Sequence, residues 1–427
     1  MIAPGSAIQM RLSTFLLLFL LLSAPAYAPA QSASPKANVS ATPRLEELRA
    51  KGSEALFNLD YEAAHQTFKE IAHLFPDDPV GPQMLAWTLW LETLNKSRLQ
   101  QGAIYSSQSF NANTEAKPDL KSIQEFQDLT RQAAQLARVR LQRNPRDPQM
   151  LYELGSIEIL NASFAITAEG RYLAALRDAS SGVDREREVI KLDPNFHDAE
   201  LTIGLYDYIV GNLPLTARLV ASFVGARGSK KRGIQTLERV AKEGRWERDY
   251  ARLLLMALYK HEGRLADSLV LSRELQERYP HNYLFKLETA DTLIAQAAHE
   301  RQENRGADAD VLEKEALGTF ETLLRNRSLP GNNARVLAVI HFRYGETLLL
   351  LSQPERAARQ FLAATTLAGA EAELITRAHL RAAQSFDLAG KRNEALAEYR
   401  IVVTRPNTRD SLEQARRGLK EPYKRTR

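Results

Sequence analysis

GSEALFNLDYEAAHQTFKEIAHLFPDDP, running from Gly52 to Pro79, decides how the rest of the chain is read. Counted from Gly52, Ala64 stands 12 residues on, Phe68 16 and Pro76 24. A small residue where two antiparallel helices cross lets them approach closely, and an aromatic four residues further along fills the next gap on the same face. A proline after the second helix ends it, because it has no amide donor and clashes with a continuing turn. The stretch therefore predicts one helix hairpin with a built-in stop.

The same offsets recur. From Gly345 they fall on Ala357 and Phe361, with Gly369 in the proline's place; from Ala383 they fall on Ala395, Tyr399 and Asn407, one residue past Pro406. From Met256 they give Ser268, Ser272 and Pro280, with Tyr259 and Gly263 at the aromatic and inter-helix positions, so the central copy is legible but eroded. Looser hairpins end at Pro145, at Pro194 and near Pro330, and Ala316 and Phe320 mark the second helix of the last. The periodicity amounts to about eight hairpins. A single match describes any amphipathic helix pair, but one hairpin cannot bury its apolar stripe alone, and copies in tandem stack into an array. On these residues the chain resembles the tetratricopeptide repeat (TPR) family. The resemblance implies an all-α, right-handed superhelical solenoid of TPR-like hairpins, with the first helix of each lining a groove that holds other chains.

Composition agrees with a folded, soluble chain: of 427 residues, 26% are charged and 44% hydrophobic. Residues 1–30 read as a cleavable signal peptide, with Arg11 before the apolar run Leu12 to Leu22 and the small-residue stretch SAPAYAPAQ after it. This eleven-residue run falls short of the roughly 20 apolar residues that span a bilayer. Cleavage after Ala30, which keeps Pro29 out of the first mature position, predicts Gln31 as the mature start and a periplasmic or secreted protein. There is no cysteine, which excludes disulfides, Cys-based metal sites and a lipid-modified N-terminal cysteine. Export without disulfides suits a bacterial periplasm. The sequons at Asn38, Asn95, Asn161 and Asn326 are read as coincidence.

After the signal, residues 31–43 are small and polar and read as a flexible linker. Residues 44–406 hold the repeats, and residues 407–427 a capping helix, Ser411 to Leu419, with a basic tail. The formal charge of +5 is concentrated there: Arg416, Arg417, Lys420, Lys424, Arg425 and Arg427 stand against Glu421 alone. Without the signal peptide's Arg11 and that tail the chain is close to neutral. A nucleic-acid binder spreads its charge along a face, so no nucleic-acid partner is expected. The tail is expected to be a solvated, frayed terminus, with anionic lipid or an acidic partner as the functional alternative.

Within the repeats, a long first helix carries Trp87 and Trp90 and precedes an insertion, Ser106 to Asp119, of turn composition. The hairpin from Gln149 to Asp193 has long helices, and Glu303 to Asp310 reads as a turn inside a hairpin. The least regular stretch is Gly204 to Gly233, apolar and interrupted by Pro214. Its Gly204, Leu213, Pro214, Phe223, Val224, Gly225 and Gly233 resemble the TPR branch typified by the fungal inclusion-body clearance protein, over about Ala199 to Leu293. The signal peptide departs from that branch, so its role is not carried over.

Catalytic motifs are absent from the sequence. His299-Glu300 lacks the second histidine of a zinc-protease helix, and no serine elbow or dinucleotide fingerprint occurs. His65 and His73 have no third ligand, and Asp77 and Asp78 lie in a proline-flanked turn. Gly225 to Lys231 has phosphate-loop flavour in the wrong order and is read as a helix N-terminus capped by Ser229. No catalytic residue, metal or cofactor is predicted. In register on the last two first helices lie His341 with His379 and Arg343 with Arg381, and Arg377 and Gln384 are nearby. Two arginines in register suit a carboxylate such as a peptide C-terminus, although the plainer reading is solvated surface arginines. Trp87, Trp90, Tyr206, Tyr208 and Tyr259 are further anchor candidates or core residues. The expectation is a non-catalytic scaffold of the bacterial envelope that binds a protein or peptide. Two alternatives stand beside it: a membrane-peripheral assembly factor using the apolar segment and the basic tail, and an envelope enzyme with an unrecognised site.

Overall fold

Helix ends in this chain fall where the sequence changes chemistry. Asp60, Asp119, Asp147 and Ser229 each accept a hydrogen bond from the amide three residues on and so open a helix. At the other end, Phe75, Asn144, Asp193 and Tyr279 each bond back to the carbonyl four residues earlier, and a proline follows every one of them.

The computed structural model describes residues 43–101, 119–165, 171–216, 218–219, 227–326, 334–408 and 410–425. The signal peptide, the linker up to residue 42, the insertion before Asp119, and Phe223, Val224 and Gly225 lie outside the described residues. Among those residues there are 17 α-helices, one short 3-10 helix and no strand. The fold is an all-α array of TPR-like hairpins: the helices pair as eight hairpins, and a single helix follows. Among the described residues no helix is long and apolar enough to cross a membrane.

The chain divides into two units, the first running to Leu255 and the second holding Met256 to the C-terminus, with residues 94–112 grouped with the second. The first contains α1 (Pro43–Phe57), α2 (Tyr61–Leu74), most of α3 (Val80–Gln101), α4 (Leu120–Arg143), α5 (Pro148–Phe164), α6 (Tyr172–Leu192), α7 (Glu200–Gly211) and α8 (Lys230–Glu243). α9 (Arg248–His261) begins in the first unit and ends in the second. The second unit continues with α10 (Leu265–Arg278), α11 (Tyr283–Gln302), α12 (Gly306–Arg325), α13 (Ala334–Leu350), α14 (Pro354–Thr365), α15 (Ala372–Leu388), α16 (Arg392–Val403) and α17 (Ser411–Lys420).

The repeat offsets are packing contacts. A Cβ built on Gly52 would lie 2.3 Å from a ring carbon of Phe68, and one on Gly345 2.7 Å from the same atom of Phe361, so each aromatic occupies the space its glycine leaves. Ala64, Ala357 and Ala395 are fully buried at the second-helix crossing. Ala383 joins Leu380, Ala395, Tyr399, Val402 and Ala415 in one cluster that α17 closes. The eroded copy keeps its geometry by hydrogen bonding: Ser268 Oγ donates to the Met256 carbonyl across the hairpin at 2.9 Å, and Thr289 donates to Ser272 Oγ at 3.0 Å. Both serines are fully buried.

Five hairpin turns share one device. Leu59, Gly263, Asn304, Ser352 and Gly390 have φ between 56° and 76°, and in each case the next residue's amide bonds back to the carbonyl five residues earlier. This closure leaves only Glu303 to Arg305 between α11 and α12, so Gly306 to Asp310, expected in a turn, begin the next helix instead. The apolar stretch from Gly204 resolves into a short helix: α7 stops at Gly211, before Pro214, and a Cβ on Gly233 would lie 2.7 Å from the Gly204 carbonyl oxygen at its crossing with α8.

The tail also differs from expectation. Instead of a frayed terminus, the Tyr423 amide donates to Asp387 Oδ2 at 2.8 Å and Arg425 to the Leu349 carbonyl at 3.1 Å, while Arg392 bridges Asp387 and the Gly418 carbonyl. The Asp387 carboxylate, with no exposed side-chain surface, collects the Tyr423 amide, the Arg392 guanidinium and the Tyr399 hydroxyl and ties the tail to α15 and α16.

Candidate functional site

In the second unit, polar side chains link successive first helices. Lys260 on α9 donates to Glu288 on α11 at 2.7 Å. Asp291, one turn further along α11, pairs with Arg343 on α13. Glu346, three residues beyond Arg343, receives Arg381 from α15 through two bonds of 2.6 and 2.8 Å. Arg381 also donates to Gln384 at 2.9 Å, and Gln384 to Gln414 on α17 at 2.9 Å. Arg377 lies 4.8 Å over the Phe342 ring of the preceding first helix.

The predicted register is thus real, and the row already holds its own counter-charges. Arg343 and Arg381 do the same job, each reaching back to a carboxylate on the previous first helix. Both keep about a quarter of their side chains exposed, at 22% and 27%, so neither is a solvated surface arginine. His341 and His379 are also equivalent, but they turn to the second helix of their own hairpins, onto Gln360 at 2.7 Å and Glu398 at 2.6 Å. Gln384 is 3% exposed and bridges its neighbours. Burial pulls His341 below the usual imidazole value. Burial likewise pushes Glu288 up to about 7, against the opposing charge of Lys260. Burial disfavours the Arg343 guanidinium, yet Asp291 and Glu346 outweigh it and hold the group above its ordinary value.

The first unit holds a second cluster that motif reading missed. Its anchor is Asp198, 6% exposed, which accepts the amides of Arg245, Trp246 and Glu247 at 2.8 to 2.9 Å and fixes the turn before α9. That turn aims Trp246 between Tyr152, whose ring centroid is 5.6 Å away, and the Arg49 guanidinium, 4.1 Å from its centroid. Arg49 pairs with Glu153 at 2.8 Å, and Tyr152 donates to Glu247 at 2.7 Å. The Trp246 indole donates to Glu46 at 2.9 Å, and the Trp87 indole to the Tyr250 hydroxyl.

Between α1, α3, α5 and the start of α9 lies a cavity of about 40 Å³, walled by Arg49, Ser53, Gln83, Trp87, Trp246 and Glu247 among others. Behind it, Glu153 and Glu186 are fully buried. Burial pushes Glu186 well above the usual carboxylate range, helped by the charges of Glu247 and Glu153, and only Ser156 at 3.5 Å opposes it. Burial also raises Glu247, to about 7, against its bond from Tyr152. Burial alone would lower Arg49; Glu153 is the chief group that holds it above its ordinary value. In sequence these residues are scattered from position 46 to 250, and only Trp87 among them was singled out, as an aromatic anchor or core residue.

No protein-family model and no curated protein matches this chain. It is similar to solved structures over most of its length. One is the human IFIT1 dimer with PPP-AAAA, at 13% identity, covering 90% of this chain and 86% of that one, with a TM-score of 0.42. Yeast Tom70 is similar at 12% identity over 89% of each chain, TM-score 0.37. The TPR domain of P58(IPK) is similar at 14% identity over 88% of this chain and 98% of that one, TM-score 0.21. The description of the fold rests on this chain's own hairpins.

Proposed function

We propose that this protein is a non-catalytic interaction scaffold of the bacterial cell envelope, exported by a signal peptide cut after Ala30. It receives a peptide or partner protein along the first-helix row of its second unit. The observation that carries this reading is the continuous line of polar side chains from Lys260 to Gln414, across four first helices and onto the closing helix α17. Arg343, Arg377 and Arg381 offer donors to an incoming carboxylate, Gln384 extends the line, and His341 and His379 fix the hairpins beneath. An acidic group entering there shares arginines that are already held in place by Asp291 and Glu346, so little side-chain entropy is lost on binding. The domain plan of 31–43 linker, 44–406 repeats and 407–427 cap and tail belongs to the same proposal. So does the likeness of Ala199 to Leu293 to the inclusion-body clearance branch, for its hairpin form alone.

The test is a crosslinking pull-down from envelope fractions with the mature protein, comparing wild type with Arg343→Ala/Arg381→Ala, after circular dichroism has established that the double variant is folded. A partner captured by wild type and lost from the variant is the expected result. A partner retained undiminished would move binding away from the row and overturn the proposal.

A second reading, an envelope enzyme, draws on the raised carboxylates Glu186 and Glu247 beside the first unit's cavity, since perturbed carboxylates gather at reacting centres. Hydrolysis of peptidoglycan or peptide by pure protein, abolished by Glu247→Gln, would establish it and displace the scaffold reading.

A further inference from the structure

One acceptor in the wall of the first unit's cavity lacks a donor. Gln83 is 6% exposed and forms part of the cavity wall, and its Oε1 has no hydrogen-bond partner among the described residues. Behind the wall, Glu153 Oε2 and Glu186 Oε2 are likewise buried without partners. Each is an acceptor, and a buried acceptor left unmade is costly, more so when it belongs to a carboxylate. The single cation in the wall, Arg49, is already committed to Glu153 and stacked on Trp246. An anion entering the cavity would face Glu247 and the Gln83 oxygen with no spare cation in the wall; a cationic donor would meet the unsatisfied Gln83 oxygen. The remaining walls, Met84, Trp87, Trp246 and Tyr250, are apolar or aromatic and suit a hydrocarbon stem. The volume of about 40 Å³ holds about three waters, or an ammonium head with the first methylenes of its chain.

We propose that this cavity is a binding site for a protonated primary alkylamine, whose ammonium donates to Gln83 Oε1 and the Glu247 carboxylate while its methylenes lie between Trp87 and Trp246. Glu153 lies behind the wall, paired with Arg49. The same chemistry is carried by a free alkylamine and by a lysine side chain of a partner protein. The site is independent of the scaffold proposal, which rests on the second unit.

The experiment titrates the full mature protein with n-butylammonium, Nα-acetyl-lysinamide and butyrate, reading tryptophan fluorescence and isothermal heat. Two variants accompany it: Gln83→Leu, which removes the orphaned acceptor at similar volume, and Ser53→Leu, which fills the cavity without touching a carboxylate. Wild type is expected to bind at least one amine saturably and not butyrate. Each folded variant should bind at least about tenfold more weakly, the change expected for one hydrogen bond to a charged group. Binding of n-butylammonium alone assigns the site to free amines, and binding of the lysinamide alone to a partner's lysine. No saturable response to either amine, an equal response to butyrate, or undiminished binding in a folded variant would overturn the proposal. Should both variants fail to fold, the contrast between amine and butyrate in wild type decides.

Discussion

Gly52 with Phe68 in the first unit and Gly345 with Phe361 in the second make the same contact, yet the hairpins around them are built differently. In the second unit the turns at Gly263, Asn304, Ser352 and Gly390 repeat one closure, which holds the first helices in register. Register brings Arg343 and Arg381 opposite carboxylates on the previous helix, while Glu288 Oε2 and Arg343 Nε in the row are buried without partners. Among the described residues of the first unit, only Leu59 makes that turn. There Arg49, Glu153, Glu186 and Glu247 meet out of repeat register, and acceptors are left over beside a cavity. Repetition sets charges in pairs along successive helices, and departure from it gathers Gln83 and Glu247 into the wall of a cavity.

The comparison breaks first at its shared element. Phe68→Ala and Phe361→Ala each remove a fully buried ring from equivalent positions and should each cost about 3 to 5 kcal/mol in denaturant unfolding. A much smaller loss at Phe68 would mean that the first hairpin is not the same unit of packing. Next in size is Asp198→Ala, which strands three amides that share one carboxylate oxygen and should cost about 3 kcal/mol. It should also shift Trp246 fluorescence, whereas a change in the second unit such as Arg343→Ala should not.

The pH response sharpens the contrast further. Glu247 sits at about 7 in the folded chain against 4.5 as its ordinary value, because burial disfavours its charge. Between those values the folded state holds the extra proton. The associated stabilisation is therefore complete below about 4.5 and is lost as pH rises through about 7. Glu247→Gln should flatten that part of the stability profile by on the order of 1 to 2 kcal/mol in urea midpoints measured from pH 5 to 8. A profile unchanged by the substitution would count against a buried, raised Glu247. The smallest effect lies in the turns: Leu59→Gly should gain about 1 kcal/mol and Gly390→Ala lose about as much, since a side chain is strained at positive φ. Thermal unfolding reads both, and opposite signs are required.

Much of the hairpin pattern in both units was legible because its signals are local. Glycine, alanine and the aromatic at offsets 0, 12 and 16 are the residues that touch, and prolines after Phe75, Asn144, Asp193 and Tyr279 stand where the helices stop. Leu59, Asn304 and Ser352 gave no such sign, because a left-handed turn residue other than glycine is chosen by the closure around it. Arg343 and Arg381 could be aligned from sequence, but their partners Asp291 and Glu346 stand 52 and 35 residues earlier, a spacing the repeat does not conserve. The first unit's cluster was invisible for the same reason in stronger form. Arg49 and Glu153 are 104 residues apart, and Trp246 and Glu46 are 200 apart, brought together by packing that no local pattern encodes.

The scaffold reading is tested most directly by photo-crosslinking in living envelopes from single positions of the full chain. A benzophenone side chain at Arg377 or Arg343 on the first-helix row would be compared with one at the exposed second-helix positions Arg359 and Arg400. The account predicts a discrete adduct from the row and none from the second helices. Adducts from Arg359 or Arg400 alone, or from no position at all, would contradict it.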